Sequence, residues 1–225
     1  MSNVKAIVES FNRMKKTRKE FFINGVLFFI SDPLPDGVDP IAVKRKIEKK
    51  IPKKLFQNLD YIFVGDFPEL KLRDVQSVYM RGAIYINHEN QTEDGLYKAI
   101  IHELAHSIET TFGSKIYEDN EVAAEFVGKR KQLRTILKTQ GHELEDSTIF
   151  IRTEYNPEFD NFLYKEVGYD KLNQLCTGLF ASPYGATSLR EYFANGFEHF
   201  FLNDQKYLSK VSPKLYSKIL SLTSK

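Results

Sequence analysis

The spacing of apolar and polar positions divides the 225-residue chain into a legible series of elements. Val4, Ile7, Val8, Phe11 and Met14 recur at helical intervals and predict an amphipathic packing helix over residues 4–16. Residues 21–30 are mostly apolar and read as a buried strand, ended by the turn formers Asp32-Pro33-Leu34-Pro35-Asp36-Gly37. A basic helix is expected over residues 40–50, with Pro40 in its first turn. A short strand at 61–64 and another at 78–86 lead into a helix whose broad stripe of Ile100, Ile101, Leu104, Ala105 and Ile108 marks it as buried. Thr92 suits its N-cap, Glu93 and Asp94 its positive end, and Gly113 its close. A second long helix is expected over 119–138, acidic at its start and basic at its end, with Gly141 beyond. Residues 142–176 show little periodicity but many aromatics, among them Phe150, Tyr155, Phe159, Phe162, Tyr164 and Tyr169, which suits a substrate-shaping lid or the packing of an inserted subregion. A turn at 182–185, a helix over 188–202 and a last helix opening at Ser212-Pro213 complete the chain. The expected fold class is α+β, with a small mixed sheet and a C-terminal helical half.

Composition narrows the classes. At 42% hydrophobic residues the chain can fill one core, so a single domain over 1–225 is expected. With 32 basic and 30 acidic residues the net charge is +2, and neither nucleic acid nor an anionic membrane is expected as a partner. The cluster Lys44, Arg45, Lys46, Lys49, Lys50, Lys53 and Lys54 reads as a solvated helix face, since no Gly-rich loop or aromatic accompanies it. Cys176 is the only cysteine, which excludes an internal disulfide and any multi-cysteine zinc site. Basic residues 13–19 before an apolar run imitate a secretion signal. Glu20, the Asn24-Gly25 break and the lack of a small-residue cleavage site at Ser31-Asp32-Pro33 argue against one, and ten residues do not span a bilayer. The expected location is cytoplasmic, with signal-less export left open.

The chemistry concentrates in His102-Glu103-Leu104-Ala105-His106. At about 3.6 residues per turn this HExxH spacing stacks His102 and His106 on one helical face, where both imidazoles can hold one metal ion. Glu103 falls beside that ion, where a general base working on metal-activated water belongs. A catalytic zinc takes a third protein ligand. The pattern HExxHxxGxxH is excluded, because Glu109 and Phe112 occupy its glycine and histidine positions. Glu125, nineteen residues after His106 with Glu121 one turn earlier, has near thermolysin-like spacing. Glu191 is the other candidate, although Ser188 and Glu191 also form an S-x-x-E capping box that needs no metal.

The segment Pro183-Tyr184-Gly185-Ala186-Thr187-Ser188-Leu189-Arg190-Glu191-Tyr192-Phe193-Ala194, taken with the HExxH run, resembles the catalytic domain of anthrax lethal factor and its relatives, including the clostridial Pro-Pro endopeptidases. The likeness covers about residues 99–109 and 181–206, including Leu202-Asn203-Asp204-Gln205-Lys206, and is looser over 77–98. It implies a zincin-like domain whose edge strand packs on the HExxH helix and pairs with extended substrate along residues 78–86, where Gly82 would permit close backbone approach or equally mark a bulge. It further implies one zinc ion held by His102, His106 and Glu191, with Glu103 as base. Tyr184, seven residues before Glu191, would donate to the oxyanion or leaving amine. The function implied is a zinc endopeptidase acting on an extended protein or peptide, with tolerance of proline near the cut. Two features depart from the family. The 85-residue interval from His106 to Glu191 is long, which makes about 114–176 an insertion and keeps Glu125 in play. Asn195 stands where an acidic residue behind a ligand is usual; its oxygen can still accept a ligating histidine's ring N–H, with less charge assistance. Glu198 and His199 suit a polar rim. The alternatives are a non-catalytic zincin-scaffold module that binds a peptide or partner protein, and a regulatory metalloprotease using Glu125 as third ligand.

Overall fold

The computed structural model describes residues 19–224, so the helix expected over 4–16 lies outside the described residues. The chain divides into two compact units between Thr111 and Phe112.

The first unit holds a five-stranded mixed sheet of β1 (Lys19–Ile23), β2 (Val26–Ile30), β3 (Tyr61–Gly65), β4 (Ser77–Met80) and β5 (Ala83–Asn87), in the order β1-β2-β3-β5-β4. β2, β3 and β5 run parallel, and β1 and β4 close the two edges antiparallel to their neighbours. Strand alternation sorts the faces. Phe28, Ile30, Ile62, Val64, Ile84 and Ile86 are buried, while Phe29, Phe63 and Tyr85 point the other way and contact one another across the strands at ring-centroid distances of 6.0 and 5.4 Å. Helices α1 (Pro40–Lys50), α2 (Pro68–Leu72) and α3 (Glu93–Tyr117) contribute Val43, Ile47, Leu70, Leu96, Ile100 and Leu104 to the same unit's buried set.

Both apolar runs read as single strands are hairpins. Residues 21–30 turn at Asn24 (φ 51°) and Gly25 (φ 96°), and residues 78–86 turn at Arg81 (φ 50°) and Gly82 (φ 81°). Two successive left-handed residues make the tight turn whose twist matches paired strands, so a two-residue polar interruption outweighs the apolar continuity around it. At Gly82 a Cβ would also sit 3.0 Å from Asp60 Oδ2. As a result β4 is the edge strand, whereas β5, which leads into α3, is paired on both sides.

Helix α3 begins as its sequence suggests, the Thr92 hydroxyl accepting the Gly95 N–H at 2.9 Å. Gly113 does not close it. The helix runs 25 residues to Tyr117, across the division between the units, because a helical glycine costs about 1 kcal/mol but keeps its backbone hydrogen bonds. The chain turns instead around Asn120 (φ 59°).

The second unit is helical: α4 (Glu121–Thr139), α5 (Pro157–Asn161), α6 (Tyr169–Leu175), α7 (Leu189–Leu202), α8 (Gln205–Val211) and α9 (Pro213–Thr223). Two basic side chains of α4 turn inward, and one of them, Arg130, pins residues 142–176. Arg130 donates to the carbonyls of Arg152 (2.8 Å) and Ile149 (2.6 Å), with its guanidinium carbon 4.0 Å from the Phe159 ring centre. Lys129 donates to the carbonyls of Leu179 and Val211. Both are buried, and desolvation pulls Lys129 down to about 8 and Arg130 down to about 10. A mixed sheet and a helical half therefore make the α+β class. No helix among the described residues is long and apolar enough to cross a membrane.

Candidate metal centre

In the first unit, α3 carries His102, Glu103 and His106. The two imidazole rings meet edge to face at 5.0 Å and 86°. His106 is buried, and its Nδ1 lies 3.2 Å from Glu109 Oε2, one turn further along the helix. A carboxylate accepting the Nδ1–H fixes the tautomer that leaves Nε2 a lone pair for a metal, and it strengthens that ligand. In the sequence Glu109 marks only a mismatch to the longer HExxHxxGxxH motif. The signal was its i, i+3 spacing from His106, legible once the histidine is taken as a ligand.

Glu103 is 5% exposed, and its carboxylate is held from the edge strand. Ser77 Oγ donates to Oε1 at 2.8 Å and the Tyr79 N–H to Oε2 at 2.7 Å, both from β4. This is the contact by which the edge strand meets the HExxH helix. Neither partner was visible beforehand, because pairing across 24 and 26 residues depends on the 78–86 run folding back as a hairpin.

In the second unit, α7 carries Glu191 in its first turn. Ser188 is the N-cap, its hydroxyl accepting the Glu191 N–H at 3.1 Å, as the capping pattern predicted. Tyr184 lies on the single-turn 3-10 helix Pro183–Ala186. Burial first, then the charges of Glu191 and Asp160, push its hydroxyl well above the usual tyrosine range, so it is a proton donor at neutral pH. Asn195, one turn along α7, holds that 3-10 turn in place. Its Nδ2 donates to the Glu191 carbonyl at 2.9 Å and its Oδ1 accepts the Ser182 hydroxyl, while a Cβ on Gly185 would lie 3.4 Å from the Asn195 Cβ. The carboxylate beside the His106 ring is Glu109 on the same helix, and Asn195 supports the segment that bears Tyr184. Burial lowers the pKa of His199, whose ring packs at 5.4 Å on Tyr207.

Glu125 has a different occupation. Its Oε1 accepts from the Tyr192 hydroxyl (2.9 Å) and the Leu215 N–H (3.1 Å), and its Oε2 from the Lys214 N–H (2.9 Å). It caps α9 from a neighbouring helix, where the N-cap residue Ser212 makes no side-chain capping hydrogen bond. Glu121 pairs with Lys214 Nζ at 2.6 Å.

One ligand atom from each of His102, His106 and Glu191 lies within 4.8 Å of the others, a group that could hold a metal ion. Two imidazole nitrogens and one carboxylate oxygen are a donor set that catalytic zinc sites use, so these residues fit that group. No family model, curated protein or solved structure matches the chain.

Proposed function

We propose that the protein is a zinc-dependent endopeptidase with a zincin-like arrangement, related to the lethal factor catalytic domain. The observation that carries this reading is the group of His102, His106 and Glu191, with Glu103 adjacent on the same helix and oriented by Ser77 and Tyr79. Zinc at those ligands would supply Lewis acidity, lowering the pKa of a water and polarising the scissile carbonyl. Glu103 takes the proton from the attacking water and passes it to the leaving amine. Its two hydrogen bonds to β4 fix which way the carboxylate faces, so little reorganisation is needed when the proton moves. Tyr184, protonated at neutral pH, donates to the developing oxyanion or to the leaving amine. The extended substrate adds to β4 by backbone pairing, the mode open to an edge strand.

The test is mass-spectrometric mapping of cuts in a diverse peptide library, with the wild type beside Glu103→Ala. Cuts that vanish in the variant while zinc stays bound support the reading. No cuts by zinc-loaded wild type would leave the binding-module alternative.

A further inference from the structure

Residues 154–171 carry five carboxylates (Glu154, Glu158, Asp160, Glu166, Asp170) against two lysines (Lys165, Lys171), locally acidic in a chain of net charge +2. The same stretch leaves Tyr155 54% and Tyr164 55% exposed, while Phe150, Phe159 and Phe162 around them are buried. Helix α5 runs directly into a π-helical segment, Phe162–Val167, which places Asp160 and Tyr164 about one turn apart. Such π-helical segments are rare and occur frequently at functional sites. Tyr155 donates its hydroxyl to Asp160 Oδ2 at 2.9 Å, and the rings of Tyr164 and Tyr169 meet at 5.4 Å and 50°, tilted open rather than stacked flat. The Glu191 charge acts on the hydroxyls of Tyr155, Tyr169 and Tyr184 alike, so this patch adjoins the proposed ligand within the second unit.

We propose that Tyr155, Tyr164, Tyr169 and Asp160 form a subsite for a cationic side chain, a lysine or arginine of the peptide substrate. The peptide as occupant rests on the endopeptidase reading; the preference for a cation rests on the patch itself. Tyrosine faces carry the negative side of the ring quadrupole and attract a cation laid over them. The Asp160 carboxylate, held by the Tyr155 hydroxyl, adds a full charge that an uncharged side chain cannot use. An acidic side chain would be repelled by Asp160 and Glu191 together.

The experiment uses the full chain as the zinc-loaded Glu103→Ala variant, so that peptides bind without being cut. Fluorescein-labelled alanine hexapeptides carrying one arginine, moved through each position, are compared by anisotropy with glutamine counterparts. At one position arginine should bind about tenfold tighter than glutamine, and that preference should fall below about twofold when Asp160→Asn or Tyr164→Ala is added. Asp160→Asn keeps an acceptor for Tyr155, and circular dichroism checks that each variant folds. Arginine and glutamine peptides binding alike at every position, or a preference that survives both substitutions, would overturn the subsite. Wild-type cleavage of the same peptides separates the two ideas: an arginine preference without cleavage sinks the peptidase and leaves the subsite standing, and cleavage indifferent to arginine does the reverse.

Discussion

Ser77 donates its hydroxyl hydrogen to Glu103 Oε1 at 2.8 Å, from the edge strand to the helix that carries both histidines. Hydrogen bonds to charged groups contribute about 1.5–3 kcal/mol, and this one orients the residue assigned the proton transfer. Ser77→Ala should lower kcat roughly ten- to a hundredfold with KM little changed, and Ser77→Thr should recover much of the loss. Glu103→Gln, which removes the base itself, should cost about 10²–10⁴ in kcat. Steady-state kinetics on one cleaved peptide tests all three; a Ser77→Ala effect confined to KM would contradict the positioning role.

Metal content distinguishes the two candidate third ligands. Glu191→Gln should empty the site at limiting zinc, and Glu125→Gln should leave zinc bound. The second substitution instead strips charge from the cap on α9 and should lower unfolding free energy by about 1–3 kcal/mol. Zinc quantified after dialysis, beside a denaturant melt of each variant, gives the answer. Loss of zinc from Glu125→Gln would restore the thermolysin-like arrangement.

Glu109 is expected to act through His106. Glu109→Ala should weaken zinc binding about ten- to a hundredfold, the usual effect of removing a carboxylate behind a ligand imidazole. Competition titration with a chelating dye measures the change directly, and unchanged affinity would show that the pair matters only to the helix.

Lys129 makes stability depend on pH in a calculable direction. In the folded chain it keeps its proton only up to about pH 8, against an ordinary lysine value of 10.5. Between those values the unfolded chain binds more protons, so this residue's contribution to stability rises with pH, by a total of about 3 kcal/mol. Below pH 8 both states are protonated and its contribution is flat. Denaturant unfolding of wild type and Lys129→Met from pH 7 to 10.5 should show the difference between them shifting in favour of wild type as pH rises; a constant difference would mean that the ammonium is not desolvated.

Local chemistry was legible without coordinates. The helical stacking of His102 and His106, the Thr92 and Ser188 caps and the apolar stripe of α3 all follow from interactions within one or two turns, which spacing encodes directly. The Asn24-Gly25 and Arg81-Gly82 turns were equally local, and their weight was misjudged against the apolar runs around them.

Tertiary structure alone decided which partner each polar side chain takes. Nothing at Glu125 announces a cap for a helix that begins nearly ninety residues later. Lys129 and Arg130 sit on a helix legible only as acidic at its start and basic at its end, yet they turn inward, where they donate to the carbonyls of Leu179, Val211, Ile149 and Arg152. The strand edge that holds Glu103 exists only because Gly82 lets the chain reverse and place Ser77 and Tyr79 against α3. In this protein the sequence determined which residues could do chemistry, through periodicity and residue type. The long-range hydrogen bonds, whose partners lie tens of residues apart, determined how those residues are held.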